Sequence, residues 1–166
     1  MSRATDPFGR SGVTLSVIDR LRDEPPPPSR AEALRRLKRG VADDLEMLLN
    51  TRRVRELPEG LKELNNSVAA YGMPDFSTLN ARSAAERNHL VHVIEGLIAR
   101  FEPRLREVVV SVEPSDDEEL AELLRTERAL RFRIDAQLIV EPAAEPVTFD
   151  TTLRLNSGDY KVRGDG

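Results

Sequence analysis

The chain has 166 residues, 39% of them hydrophobic and 33% charged, with no cysteine and a net charge of −4. That length suffices for one domain with a real core. The missing cysteine excludes a disulfide framework and thiolate metal sites. No apolar run approaches the ~18 residues of a membrane span, and the N-terminus shows no hydrophobic signal-peptide core. The expected setting is therefore cytoplasmic, without direct membrane insertion.

Charge is spread unevenly: residues 1–60 carry 12 basic and 10 acidic side chains, residues 61–166 carry 13 and 19. A net acidic chain of this kind speaks against general nucleic-acid binding, which needs a basic domain, and leaves room for a local basic docking patch. Aromatics make up only 4%. A thin core under a highly charged surface suits a subunit of a larger assembly.

In chain order, residues 1–28 read as a flexible segment. Leu15, Val17, Ile18 and Leu21 predict a short amphipathic helix from Thr14 to Arg22, and Pro25 to Pro28 a stiff polyproline spacer. The first long helix is expected from Ser29 or Arg30 to Asn50. Ser29 is its N-cap, Glu32 completes a capping box, and the apolar stripe runs through Leu34, Leu37, Val41, Leu45, Leu48 and Leu49. Asn50 is a candidate left-handed cap. The acidic half of this helix, Asp43, Asp44 and Glu46, reads as a solvated face.

Arg52, Arg53 and Arg55 follow in a basic loop. Leu61, Leu64, Val68 and Tyr71 predict a shorter helix, ended by Gly72 and Pro74. Ser83 and Glu86 form a capping box for a third helix reaching Phe101. His89 and His92 stand three apart on it, with no third metal ligand placed nearby by the sequence.

At Glu102-Pro103-Arg104 the 3.6-residue period gives way to strand alternation in Val108, Val110 and Val112. Proline explains the join: it has no amide hydrogen to continue a helix and pushes the preceding residue toward extended geometry. An acidic loop follows, with one helical turn at Glu118–Leu124. Two more strands are expected, Leu130 to Val140 and Val147 to Leu155, then a short last one from Tyr160 to Arg163. Val147 to Leu155 looks like a lightly protected sheet edge. The fold class is α+β, with N-terminal helices packed on a small C-terminal antiparallel or mixed β-sheet, residues 29–166 forming one domain.

No glycine-rich phosphate loop, GxSxG elbow or cysteine nucleophile is present. Glycoside hydrolysis needs two carboxylates across a cleft, and among 29 acidic residues any nominated pair carries little information. Arg104 beside Glu102 favours the ionised carboxylate, which suits a poor general acid. On residues alone, Glu102–Arg104 is either a helix stop with a local ion pair or a docking site.

Five stretches together resemble a known family: Ser16-Val-Ile-Asp-Arg-Leu21, Asp44-Leu-Glu-Met-Leu-Leu-Asn-Thr-Arg-Arg53, Tyr71-Gly-Met-Pro-Asp75, Phe101-Glu-Pro-Arg-Leu105 and Val147-Thr-Phe-Asp-Thr151. Their order and spacing are similar to the TssE family of type VI secretion baseplate subunits, within the lysozyme-like baseplate wedge family of contractile phage tails. Met47 departs from it, standing where the family leads one to expect an aromatic residue. The resemblance implies a structural, non-enzymatic role without cofactor or metal. It implies that Glu102, Pro103 and Arg104 dock onto the wedge proteins TssF and TssG; Arg52 and Arg53 of the basic loop are further candidate partner-binding residues. It also implies that the sheet starts polymerisation of the TssB and TssC sheath beside the inner membrane. A muramidase and a regulatory adaptor on the same fold are the alternatives.

Overall fold

The computed structural model describes residues 29–53, 63–64, 67–76, 83–113, 129–155 and 157–164. The expected segment at 1–28 and the helical turn at 118–124 lie outside them.

Helix α1 spans Arg30–Asn50. The Ser29 hydroxyl accepts from the Glu32 amide at 3.2 Å, as the capping box requires. Its buried face is Ala33, Leu37, Val41, Ala42, Leu45, Leu48 and Leu49, so alanines extend the predicted leucine and valine stripe. Asn50 does not form a left-handed cap. The helix ends through an extended Thr51 whose amide returns to the Met47 carbonyl. The Asn50 carboxamide instead bonds the backbone of Tyr160. Met47, where the resemblance leads one to expect an aromatic residue, is 60% exposed and lies outside the core.

The end of the helix expected at 61–71 is a short 3-10 turn, Val68–Ala70. Ser67 explains the difference: its hydroxyl accepts from the Ala69 amide and donates to the Leu64 carbonyl, local bonds that compete with a continuing helix. Val68 accordingly stands 89% exposed rather than on a buried stripe. Gly72 follows at φ +103, and a Cβ there would lie 2.3 Å from the Thr51 carbonyl oxygen. Only glycine permits that approach. It lets Met73 bridge Arg52 in parallel, through Met73 N–H to Thr51 O at 2.7 Å and Arg53 N–H to Met73 O at 2.9 Å.

Helix α2 spans Ala84–Phe101, capped by Ser83 as predicted, and buries Leu90, Ile94, Leu97 and Ile98. Four strands follow: β1 Leu105–Val112, β2 Ala129–Leu138, β3 Glu145–Arg154 and β4 Asp159–Gly164. They form one sheet in the order β1-β2-β3-β4, every neighbour antiparallel. The α+β class therefore holds, with a purely antiparallel meander. The strand period of two puts Phe132, Ile134, Phe149, Leu153 and Val162 on one face, where they share a core with both helices. A bulge lies between Arg106 and Val109, with Glu107 at φ +53.

The expectation that Val147 to Leu155 is a sheet edge is overturned. β4 is longer than the sequence suggested and pairs with β3 from Phe149↔Gly164 to Arg154↔Asp159, while β2 pairs with its other side. Among the described strands, the edges are β1 and β4.

Candidate functional site

The helix-to-sheet join makes a cleft. The α2 ladder ends with Glu102 N–H to Ile98 O at 2.9 Å, and Pro103 cannot extend it. Leu105 N–H then turns back to Glu102 O, and Ile139 N–H donates to Arg104 O at 2.8 Å. The tripeptide is thus fixed at both ends, by the helix and by the sheet.

Within that frame Glu102 is buried, 5% exposed. Arg104 Nε donates to its Oε1 at 2.6 Å and Nη2 to its Oε2 at 2.5 Å, a bidentate pair with added geometric specificity. The Arg104 amide also donates to Glu102 Oε1 at 3.2 Å. The same Nη2 reaches Asp44 Oδ2 of α1 at 2.5 Å. The bond to Glu102 is the foremost cause of an upward shift of the Arg104 pKa, with Asp44 adding to it against the effect of burial. Arg104 is therefore a permanent cation that ties the join to α1.

Asp44, Leu45 and Leu48 of α1, with Tyr71, Phe101, Glu102, Pro103 and Arg104, enclose about 250 Å³. Tyr71 and Phe101 meet edge to face, centroids 5.4 Å apart at 72°. Burial first, then the Asp44 and Glu102 charges, raise the Tyr71 phenol above its usual range, so it stays protonated and able to donate. The lining joins an apolar wall to one cation and two carboxylates, of which Glu102 is buried. It is poorly suited to acid–base chemistry, because both carboxylates bond the same guanidinium.

The structure thus brings together Glu102, Pro103 and Arg104 and adds Asp44 and Tyr71. Sequence reasoning placed Asp44 on a solvated face. The available signal was its position one before Leu45 and four before Leu48, at the border of the apolar stripe. Arg52 and Arg53 do not line the cleft. The Arg52 guanidinium lies beside Gly158 in the β3–β4 turn, 3.8 Å from where a Cβ on that glycine would stand. His89 packs its ring on Phe76, and His92 pairs with Glu95 at 3.2 Å. Among the described residues no group of three His, Cys, Asp or Glu side chains is placed to hold a metal. No helix among them is long and apolar enough to cross a membrane.

The family model described as baseplate wedge protein gp25 matches residues 35–143, which run from α1 through the join and β2. The chain belongs to the baseplate wedge protein gp25 family. That family is a structural component of baseplates, and the whole of the Glu102–Arg104 cleft lies within the matched span. No curated protein matches the chain. Among solved structures, one similar chain belongs to the baseplate complex from the type VI secretion system. It is 20% identical with a TM-score of 0.44, covering 67% of this chain and 88% of that one.

Proposed function

We propose that this gp25-family chain is a structural wedge subunit of a type VI secretion baseplate. In this reading it docks on TssF and TssG through the Glu102–Arg104 cleft and starts the TssB–TssC sheath from its sheet. It works in the cytoplasm against the inner membrane and catalyses nothing. The observation that carries the docking reading is the cleft: a rigid, partly apolar recess with fixed charges, built by the tripeptide that stops α2. The type VI assignment draws on the five motif stretches and their order. The non-enzymatic reading is supported by Asp44 and Glu102 sharing one guanidinium, where a glycosidase would hold its two carboxylates apart across the scissile bond.

Pro103 is exposed at the cleft rim and takes no part in the ion pair, so Pro103→Glu separates docking from folding. The variant is expected to melt like the wild type and to co-purify with TssF and TssG in strongly reduced amount. Undiminished co-purification would remove the cleft from the interface. Release of reducing sugar from peptidoglycan, lost in Glu102→Gln, would replace the structural reading with the muramidase one.

A further inference from the structure

Helix side chains close both edges of the sheet, but unequally. At β1 the bulge bends the strand, and Glu95 Oε1 of α2 accepts from Val110 N–H at 3.0 Å. At β4, the antiparallel ladder leaves the N–H and C=O of Tyr160, Val162 and Gly164 pointing away from β3. The Asn50 carboxamide of α1 takes both Tyr160 groups, at 2.8 and 2.9 Å. One helical turn earlier, Glu46 Oε2 accepts from Val162 N–H at 3.0 Å while Oε1 holds Lys161 Nζ at 2.9 Å.

The two elements stay in step because four helical residues rise ~6 Å and two strand residues rise nearly ~7 Å. Positions 50, 46 and 42 therefore track positions 160, 162 and 164. At the third step the helix offers only Ala42, whose Cβ is 3.9 Å from where a Cβ on Gly164 would stand. Alanine has no group to give. Among the described residues no side chain meets the Val162 carbonyl or the Gly164 amide and carbonyl. Asn50 and Glu46 thus imitate two steps of a neighbouring strand and stop before the last.

We propose that β4 is a gated strand acceptor: an incoming strand seats at Gly164, displaces Glu46 and then Asn50, and carries acidic side chains on its solvent-facing side. This deepens the sheath reading above and rests on it for the partner's identity alone. The acidic requirement comes from the register. Lys161 and Arg163 stand on the open face, in rows with Arg131–Thr152 and Arg133–Asp150. A fifth strand would set its own side chains directly opposite these two cations. A second copy of β4 is the wrong occupant. Antiparallel self-pairing about Val162 puts Lys161 opposite Arg163 twice, and like charges so placed repel.

The gate also has somewhere to go. A depression of about 280 Å³, lined by Asp43, Glu46, Met47 and Asn50, runs along this side of α1. Its exposed Met47 offers apolar surface to the arriving strand. Val162 N–H first, and Lys161 next, hold the Glu46 carboxyl below its usual range, so the closed gate is the ionised one.

Two synthetic peptides of about eight residues, a typical strand length, test this: one alternates valine with glutamate, the other valine with lysine. Amide signals and hydrogen exchange of Tyr160, Val162 and Gly164 are followed in the full chain and in Glu46→Ala/Asn50→Ala. The glutamate peptide should protect the Val162 and Gly164 amides and bind the double variant about tenfold or more tightly than wild type, ~1.4 kcal/mol. The lysine peptide should do neither. If the double variant does not fold, Glu46→Ala alone carries the comparison, since Asn50 still holds Tyr160. Equal binding of both peptides, equal affinity for open and closed gates, or unprotected β4 amides would overturn the proposal. No sheath protein takes part, so failure here is separable from failure of sheath initiation in cells.

Discussion

Arg104→Ala tests the core of the site. The substitution leaves Glu102, 5% exposed, without the guanidinium that meets both its oxygens, and frees Asp44 from α2's end. Breaking a fully buried pair costs roughly 3–5 kcal/mol. The Arg104 side chain is 26% exposed and the Asp44 side chain 43%, and the residue-104 amide still donates to Glu102. Solvent screening and that surviving bond reduce the expected loss to about 2–4 kcal/mol. At this chain length each kcal/mol shifts Tm by about 2–4 °C, so thermal melts followed by circular dichroism should show a drop on the order of 4–16 °C. Adding Glu102→Gln should return much of the loss, because the remaining group is neutral, and the two changes should be clearly non-additive. A single variant within ~0.5 kcal/mol of wild type, or strictly additive losses, would refute the view that this pair is a buried structural tie. Loss of docking in Arg104→Ala alone is therefore ambiguous, which is why the exposed Pro103 is the better probe.

Gly72→Ala should destabilise the chain by about 1–3 kcal/mol from its backbone conformation alone, and by more if the clash with the Thr51 carbonyl is not relieved; urea denaturation measures it. Thr151 is buried on β3 with no partner for its hydroxyl among the described residues, so Thr151→Val should stabilise by ~1 kcal/mol in the same assay. The Val162 amide first, and the Lys161 ammonium next, hold the folded-state pKa of Glu46 below the usual carboxylate range. Its contribution is thus fully present above the unfolded value and is lost as pH falls through the folded one. The Tm difference between wild type and Glu46→Gln should be constant near neutrality and shrink at acid pH; a difference that grows on acidification would contradict the Val162 and Lys161 bonds.

Much of this fold was legible because its signals are local. The Ser29 and Ser83 caps, the 3.6 period of α2 and the unbroken alternation of β2 each follow from neighbours in sequence. The Pro103 join was legible for the same reason. What was not legible depends on side-chain bonds that apolar periodicity does not reveal, most of them to distant partners. Ser67 turned a predicted helix end into a 3-10 turn through a bond to Leu64. Asn50, Glu46 and Asp44 read as a cap and a solvated face, yet each bonds a backbone or side chain at least 60 residues away. The interior position of β3 is hidden in the sequence because β4 is short and weakly patterned, yet its pairing covers Phe149 to Arg154. Arg52 shares a motif stretch with Asp44 but lies at the β3–β4 turn, because the chain leaves α1 there.

Docking of the cleft on the wedge is open to a direct test. A photo-reactive benzoylphenylalanine placed at Pro103, in cells assembling the secretion system, reports on that contact directly. On irradiation a covalent product with TssF or TssG is expected, and none when the same group replaces Arg39 on the exposed side of α1. Equal products at both positions, or a Pro103 product with neither wedge protein, would contradict it.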